Sequence, residues 1–257
     1  MKNKNLIMKK IILPTICLML VVVNSVIAQQ TEKTYDVENF DKIIISPHIA
    51  VNLVEGDEES VRIDEAGVSE DKINIEIEGS TLRIYLDGAK MVTKSEKVKD
   101  KNHTMTKSIY DGTQVRATIT YKTLNTLSVR GEERINAQSK LDQKDFTLRI
   151  YGESQVYLSE VNLDKLKVTI YGESYLEVEN GKVENQRYIA YGESKVNSLA
   201  IDNASTKITA YGESDFRVNV KDRLKVTCYG ETHITYEGSP DVDRGIVIGE
   251  ATIKKIG

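Results

Sequence analysis

The phrase Tyr-Gly-Glu-Ser occurs at residues 151–154, 171–174, 191–194 and 211–214, each copy twenty residues after the last. Looser copies extend the series: Arg130-Gly131-Glu132 before it, Tyr229-Gly230-Glu231-Thr232 and Ile248-Gly249-Glu250 after it. A tandem period near twenty, rich in β-branched residues and without helical spacing, predicts an all-β solenoid. Each repeat is one coil stacked on the next, and the chain holds about seven such rungs.

Positions counted from the repeat glycine give the predicted interior. Four residues before it stand Leu127, Leu148, Val168, Tyr188, Ile208 and Val226; two before it stand Val129, Ile150, Ile170, Ala190, Ala210, Cys228 and Val247. Four after it stand Ile135, Val156, Leu176, Val196, Phe216, Ile234 and Ile253. These columns share one parity, hence one face of the strand, and predict aliphatic ladders spaced at the inter-strand distance of ~4.8 Å. Gly131, Gly152, Gly172, Gly192, Gly212, Gly230 and Gly249 share that parity, as does the Ser two residues further on. Small residues there either let the coil narrow or let the backbone turn a corner at positive φ. Both readings are structural. The serines are poor nucleophiles, because no histidine recurs in the repeat to act as a base; the chain has only His48, His103 and His233.

Opposite parity puts two residue types outside. Tyr151, Tyr171, Tyr191, Tyr211 and Tyr229 form one outward column; Glu153, Glu173, Glu193, Glu213 and Glu231, with Glu132 and Glu250 at its ends, form a second. Stacked rings stabilise neighbouring rungs by about 0.5–1.5 kcal/mol per pair. Carboxylates do the reverse: unit charges ~5 Å apart repel by about 1 kcal/mol even in a water-like dielectric. Splayed side chains, raised pKa values, tyrosine hydroxyls or bound cations would relieve that repulsion. A basic column at Lys167, Arg187, Lys207, Lys225 and Arg244 lies ~20 Å away along a straight strand, and would neutralise the glutamates only if the coil bends. The Tyr/Glu stripe is the candidate binding surface: ring faces stack on sugar faces, and carboxylates accept sugar hydroxyls or hold Ca²⁺. The alternative is that both columns only pack and solubilise the rungs. The repeats lack the Asp-rich loop of calcium-binding β-rolls, which weakens the Ca²⁺ reading.

Residues 1–28 read as a secretory signal peptide. Lys2, Lys4, Lys9 and Lys10 precede an apolar run from Ile11 to Val23, and Val26-Ile27-Ala28 offers a cleavage site. An N-terminal anchor is the competing reading, disfavoured by Pro14 and the shortness of the run. Cys17 is not a lipidation site, since Ile16 occupies the position that wants a small residue. Without the four leader lysines the formal net charge moves from −4 to −8, which argues against nucleic-acid binding. Only Cys228 then remains, so no intrachain disulfide forms. No second run is long enough to span a bilayer as a helix.

Residues 29–126 read as an N-terminal β portion continuous with the solenoid of 127–257. Ile43, Ile45, Ile49, Val51 and Leu53 alternate around Ser46-Pro47-His48, and aligning Pro47 with the repeat glycine makes 43–53 a degenerate early copy. Ile73 to Ile77 and Leu82 to Leu86 flank a hairpin turn at Glu78-Gly79-Ser80-Thr81. Residues 90–108, with Lys90, Lys94, Lys97, Lys99, Lys101 and Lys107 and no apolar period, predict an exposed, mobile basic loop.

Phe40-Asp41-Lys42-Ile43 leading to Val54-Glu55-Gly56-Asp57, then Thr81-Leu82-Arg83-Ile84-Tyr85-Leu86 and the run of rungs, resemble the auto-transporter adhesin head GIN domain family, frequent in Bacteroidetes. The resemblance spans roughly residues 38–257 and implies a right-handed parallel β-helix in or outside the cell envelope. It implies adhesion and brings no catalytic residues. That family usually shows Ser-Gly-Ser-Gly at the rung turn. Here Tyr-Gly-Glu-Ser keeps the small inward positions and changes the outward ones.

The expected function is therefore that of a non-catalytic exported protein of the periplasm, outer-membrane surface or extracellular space. It would bind a glycan or another surface component along the Tyr/Glu stripe, with no cofactor unless Ca²⁺. A purely structural assembly module is one alternative. A polysaccharide-processing β-helix enzyme is another, although it would need acids gathered in a groove rather than a regular ladder.

Overall fold

The computed structural model describes residues 32–100 and 103–257; the expected signal peptide and Cys17 lie outside them. Twenty strands follow in order: β1 (Lys33–Asp36), β2 (Lys42–Ile45), β3 (Ile49–Glu55), β4 (Ser60–Ala66), β5 (Ile73–Glu78), β6 (Thr81–Leu86), β7 (Ser95–Asp100), β8 (His103–Ser108), β9 (Val115–Tyr121) and β10 (Thr126–Gly131). Then come β11 (Arg134–Ala137), β12 (Leu141–Gly152), β13 (Gln155–Leu158), β14 (Val161–Gly172), β15 (Tyr175–Val178), β16 (Gly181–Tyr191), β17 (Ser194–Ser198), β18 (Ile201–Asn219), β19 (Arg223–Glu237) and β20 (Asp241–Lys255).

From β10 onward every pairing is parallel, and in register apart from one shift between β19 and β20. Gly131 lies on Gly152 and Gly152 on Gly172, and further along Gly212 lies on Gly230 and Gly230 on Gly249. The seven Gly-Glu corners therefore enclose about six turns of a β-solenoid. Its interior is the predicted set of columns. Leu148, Val168, Tyr188, Ile208 and Val226 are buried, as are Val156, Leu176, Val196, Phe216 and Ile234. Tyr188 satisfies its hydroxyl inside the core by donating to Gln186 Oε1 at 2.6 Å.

One column assignment changes at the last rung. A register shift between Val226 and Cys228 moves Arg244 opposite Val226, so Asp243, not Arg244, stands against Lys225. Val247 and Ile253 keep their column positions, opposite Cys228 and Ile234. No rung covers them beyond, however: Val247 is exposed and Ile253 only half-buried.

The coil continues across the division at residue 127. β2 pairs in parallel with β10 and β3 with β11, and a Cβ added to Gly131 would lie 2.9 Å from Pro47 Cα. The early copy at 43–53 is thus a real rung, with Pro47 over the first glycine corner. Above it lie β6 on β2 and β9 on β3. This end is closed by antiparallel strands: β5 on β6 through the Gly79 turn, β4 on β9, and β1 on β4. Tyr35, Val37, Val68, Ile73, Ile75 and Ile77 pack on the core there.

The lysine-rich excursion is not an irregular loop. β7 and β8 pair antiparallel as a separate two-stranded ribbon, Ser95 against Ser108. The sequence hides it because its alternation is between polar residues: Val98 and Met105 face each other, yet both are exposed.

Candidate functional site along the glycine corner

The repeat glycines adopt φ between 110° and 135°, a region closed to residues with a Cβ. A Cβ on Gly192 would stand 2.8 Å from the Gly172 carbonyl oxygen, and one on Gly212 2.9 Å from that of Gly192. Of the two structural readings of the glycine column, a corner with close backbone approach is the one observed. The serine two residues on faces inward and closes the corner. Ser154 and Ser174 donate to the carbonyls of Gly131 and Gly152 at 2.8 Å; Ser194 and Ser214 do the same to Gly172 and Gly192 at 3.3 Å. In the Tyr229–Thr232 copy, Thr232 Oγ1 meets Cys228 Sγ at 3.1 Å instead.

This corner sets Tyr and Glu on the two sides of a bend, both facing out. The five tyrosines form one continuous stack, with ring centroids 5.1, 4.7, 4.8 and 4.8 Å apart and planes within 4° of parallel. Such stacking consumes the ring faces. Tyr171, Tyr191 and Tyr211 are 42%, 38% and 38% exposed, and a ring with a neighbour on each face exposes chiefly its edge and hydroxyl. Tyr151 has its outer face covered by the Arg130 guanidinium at 4.5 Å. The expectation that sugar faces lie on tyrosine faces is therefore not met by the geometry; the stack offers edges and hydroxyls.

The glutamate column is exposed throughout, from Glu132 to Glu250. Among the described residues, none of these carboxylates has an ion pair or accepts a side-chain hydrogen bond. The basic column does not reach them: Lys167, Arg187, Lys207 and Lys225 stack in register on another face. Lys225 is turned instead to Asp243, at 3.1 Å, where Arg223 joins it at 2.8 Å.

Beside the glutamates runs a shallow groove of about 350 Å³. Glu173, Glu193, Glu213 and Glu231 form one wall, the buried serines the floor, and Tyr175, Lys195, Asp215 and His233 the other wall. Those last four stand three residues after each glycine and are in register. Sequence reasoning passed over them because their chemistry varies from rung to rung; constant spacing was their only signal. Tyr175 is held by a hydrogen bond to Glu177 Oε2 at 2.9 Å, and burial, then that bond, push its pKa up.

A second cleft sits at the first corner, between Pro47, His48, Met91, Val92 and Tyr151. Here Glu133, one residue beyond the exposed column, is 5% exposed and accepts the Glu132 backbone N–H at 2.9 Å. Burial pushes its pKa up. His48, at φ 71°, is fixed by Gly112 O at 2.7 Å and Thr93 Oγ1 at 2.6 Å. Among the described residues no group of three His, Cys, Asp or Glu side chains converges to hold a metal ion. No helix there is long and apolar enough to cross a membrane.

The model of the family described as "Putative auto-transporter adhesin, head GIN domain" matches residues 39–240. The chain belongs to this family. Solved structures share the GIN-domain fold. A protein described as a "putative adhesin" from Bacteroides fragilis NCTC 9343, 20% identical, aligns at a TM-score of 0.70 over 88% of this chain and 96% of its own. Another so described, from Parabacteroides merdae ATCC 43184, 18% identical, aligns at 0.64 over 88% and 96%. A protein from Parabacteroides distasonis ATCC 8503 named for lipid binding, 18% identical, aligns at 0.62 over 89% and 98%. At these identities the likeness is one of fold. No curated protein matches the chain. Within the GIN family frame, the Tyr/Glu stripe is a property of this chain's own outward residues.

Proposed function

We propose that this protein is a non-catalytic, exported adhesin-like module that holds a polyhydroxylated chain, a surface glycan, in the groove beside its glutamate ladder. The observation that carries this reading is the unneutralised carboxylate column. Some acids elsewhere on the surface are paired with bases, as Asp243 is with Arg223 and Lys225; what distinguishes the column is the stacking of like charges in register. Along the groove the acids repeat rung after rung with no partner, at an electrostatic cost of about 1 kcal/mol per neighbouring pair. Carboxylates in this arrangement accept two hydroxyl hydrogen bonds each, and the periodic wall suits a periodic ligand. An anionic polymer is disfavoured by the same charges, and an acyl chain would meet mostly polar or charged side chains. The repeat serines, with their hydroxyls committed to glycine carbonyls, support a structural rather than a nucleophilic role for that column.

The test is a glycan array, run with and without Ca²⁺, comparing the protein with the combined Glu173→Gln, Glu193→Gln, Glu213→Gln variant. The reading expects neutral or amino glycans to be retained by the protein and lost by the variant. Equal retention by both, or no retention by either, would overturn it.

A further inference from the structure

The two ends of the solenoid are finished differently, and the difference identifies an interaction surface. Three antiparallel strands close the N-terminal end, whereas β20 pairs with β19 alone among the described residues. Its free edge carries the backbone groups of a fifteen-residue strand, a ready template for another strand. Ile246 is 57% and Ile248 62% exposed on it.

We propose that a second copy of this chain covers this end, β20 lying antiparallel on β20 across a two-fold axis near the Gly249 corner. This inference concerns a different surface from the groove and does not depend on it. The charge order of the strand chooses the occupant. Its first arm carries Asp241, Asp243 and Arg244, a net charge of −1, and its last Glu250, Lys254 and Lys255, a net charge of +1. A parallel partner copy would set like charges together, whereas antiparallel self-pairing sets opposite ones together. Pairing about Ile248, with the one-residue bulge between Arg244 and Val247 counted, puts Asp241 opposite Lys254. The corner makes the fit possible, since a rotation about it exchanges the two arms of the bent strand. Such an interface is isologous and closes at two copies. The N-terminal end presents a different surface, so the pairing does not propagate.

The experiment is analytical ultracentrifugation of the purified protein over a concentration series, with Asp241→Lys, Lys254→Glu and Ile248→Lys variants. Asp241, Ile248 and Lys254 are exposed, so melting curves serve as the folding control. The protein is expected to form a dimer. Either charge variant alone sets like charges opposite each other twice, weakening the dimer about tenfold. Ile248→Lys, at the axis, abolishes it. Mixing Asp241→Lys with Lys254→Glu restores full-strength association, because both contacts of the mixed dimer are again complementary. A monomer at every concentration would overturn the proposal. So would open-ended polymers, or a mixture no tighter than its components.

Discussion

At the scale of single residues, the solenoid rests on a backbone conformation that only glycine adopts readily. Gly192 combines φ 114° with a neighbouring carbonyl 2.8 Å from where a Cβ would sit. Gly79, in the β5–β6 turn, has φ 61° and open space around it. Chemical denaturation should therefore separate two alanine substitutions: Gly79→Ala costs about 1 kcal/mol, Gly192→Ala about 3 kcal/mol or more through strain plus backbone contact. Glu133 gives a second residue-scale expectation. Burial raises its pKa in the folded state, so the native protein holds that proton more tightly than the unfolded chain. The associated stability is fully present below the ordinary carboxylate pKa and is lost as pH rises through the raised value. Glu133→Gln should accordingly raise the melting temperature at about pH 7, with a gain that shrinks toward about pH 4. A gain independent of pH would assign the effect to packing rather than charge.

At the scale of elements, the tyrosine column behaves as one stacked unit. Tyr171 and Tyr191 are 4.7 Å apart and parallel within 2°, so a double-mutant cycle between Tyr171→Ser and Tyr191→Ser should show a coupling of about 0.5–1.5 kcal/mol. Zero coupling would mean the rings are merely adjacent. The column itself was legible in the sequence, because period and parity alone place Tyr151 to Tyr229 outside and on one line. The use of its faces was not. That follows from the axial spacing of rungs, which brings rings into van der Waals contact and leaves edges for a ligand. The last basic position was misassigned for a related reason: a bulge in β20 exchanges Arg244 for Asp243, and a slip of one residue leaves no mark in composition. The β7–β8 ribbon was missed because a strand pair with no buried face has no apolar alternation to read.

At the scale of the whole molecule, the repeats are one-dimensional, and rung-to-rung register decides what lies beside what. The architecture was legible because Gly-Glu pairs at near-constant spacing admit few other solutions. The early rung at Ile43 to Leu53 was legible only through Pro47. The groove was not: its second wall, Tyr175, Lys195, Asp215 and His233, shares a position rather than a residue type. What unifies the surface is a column of like charges that lowers stability wherever it is not engaged. Its removal therefore bears most directly on the account. The melting temperature of the combined Glu173→Gln, Glu193→Gln, Glu213→Gln variant should exceed that of the natural sequence at low ionic strength. The gap should close as salt screens the ladder. A variant that melts at the same or a lower temperature would show that the glutamates serve the fold, and would contradict the claim that they are kept for a ligand.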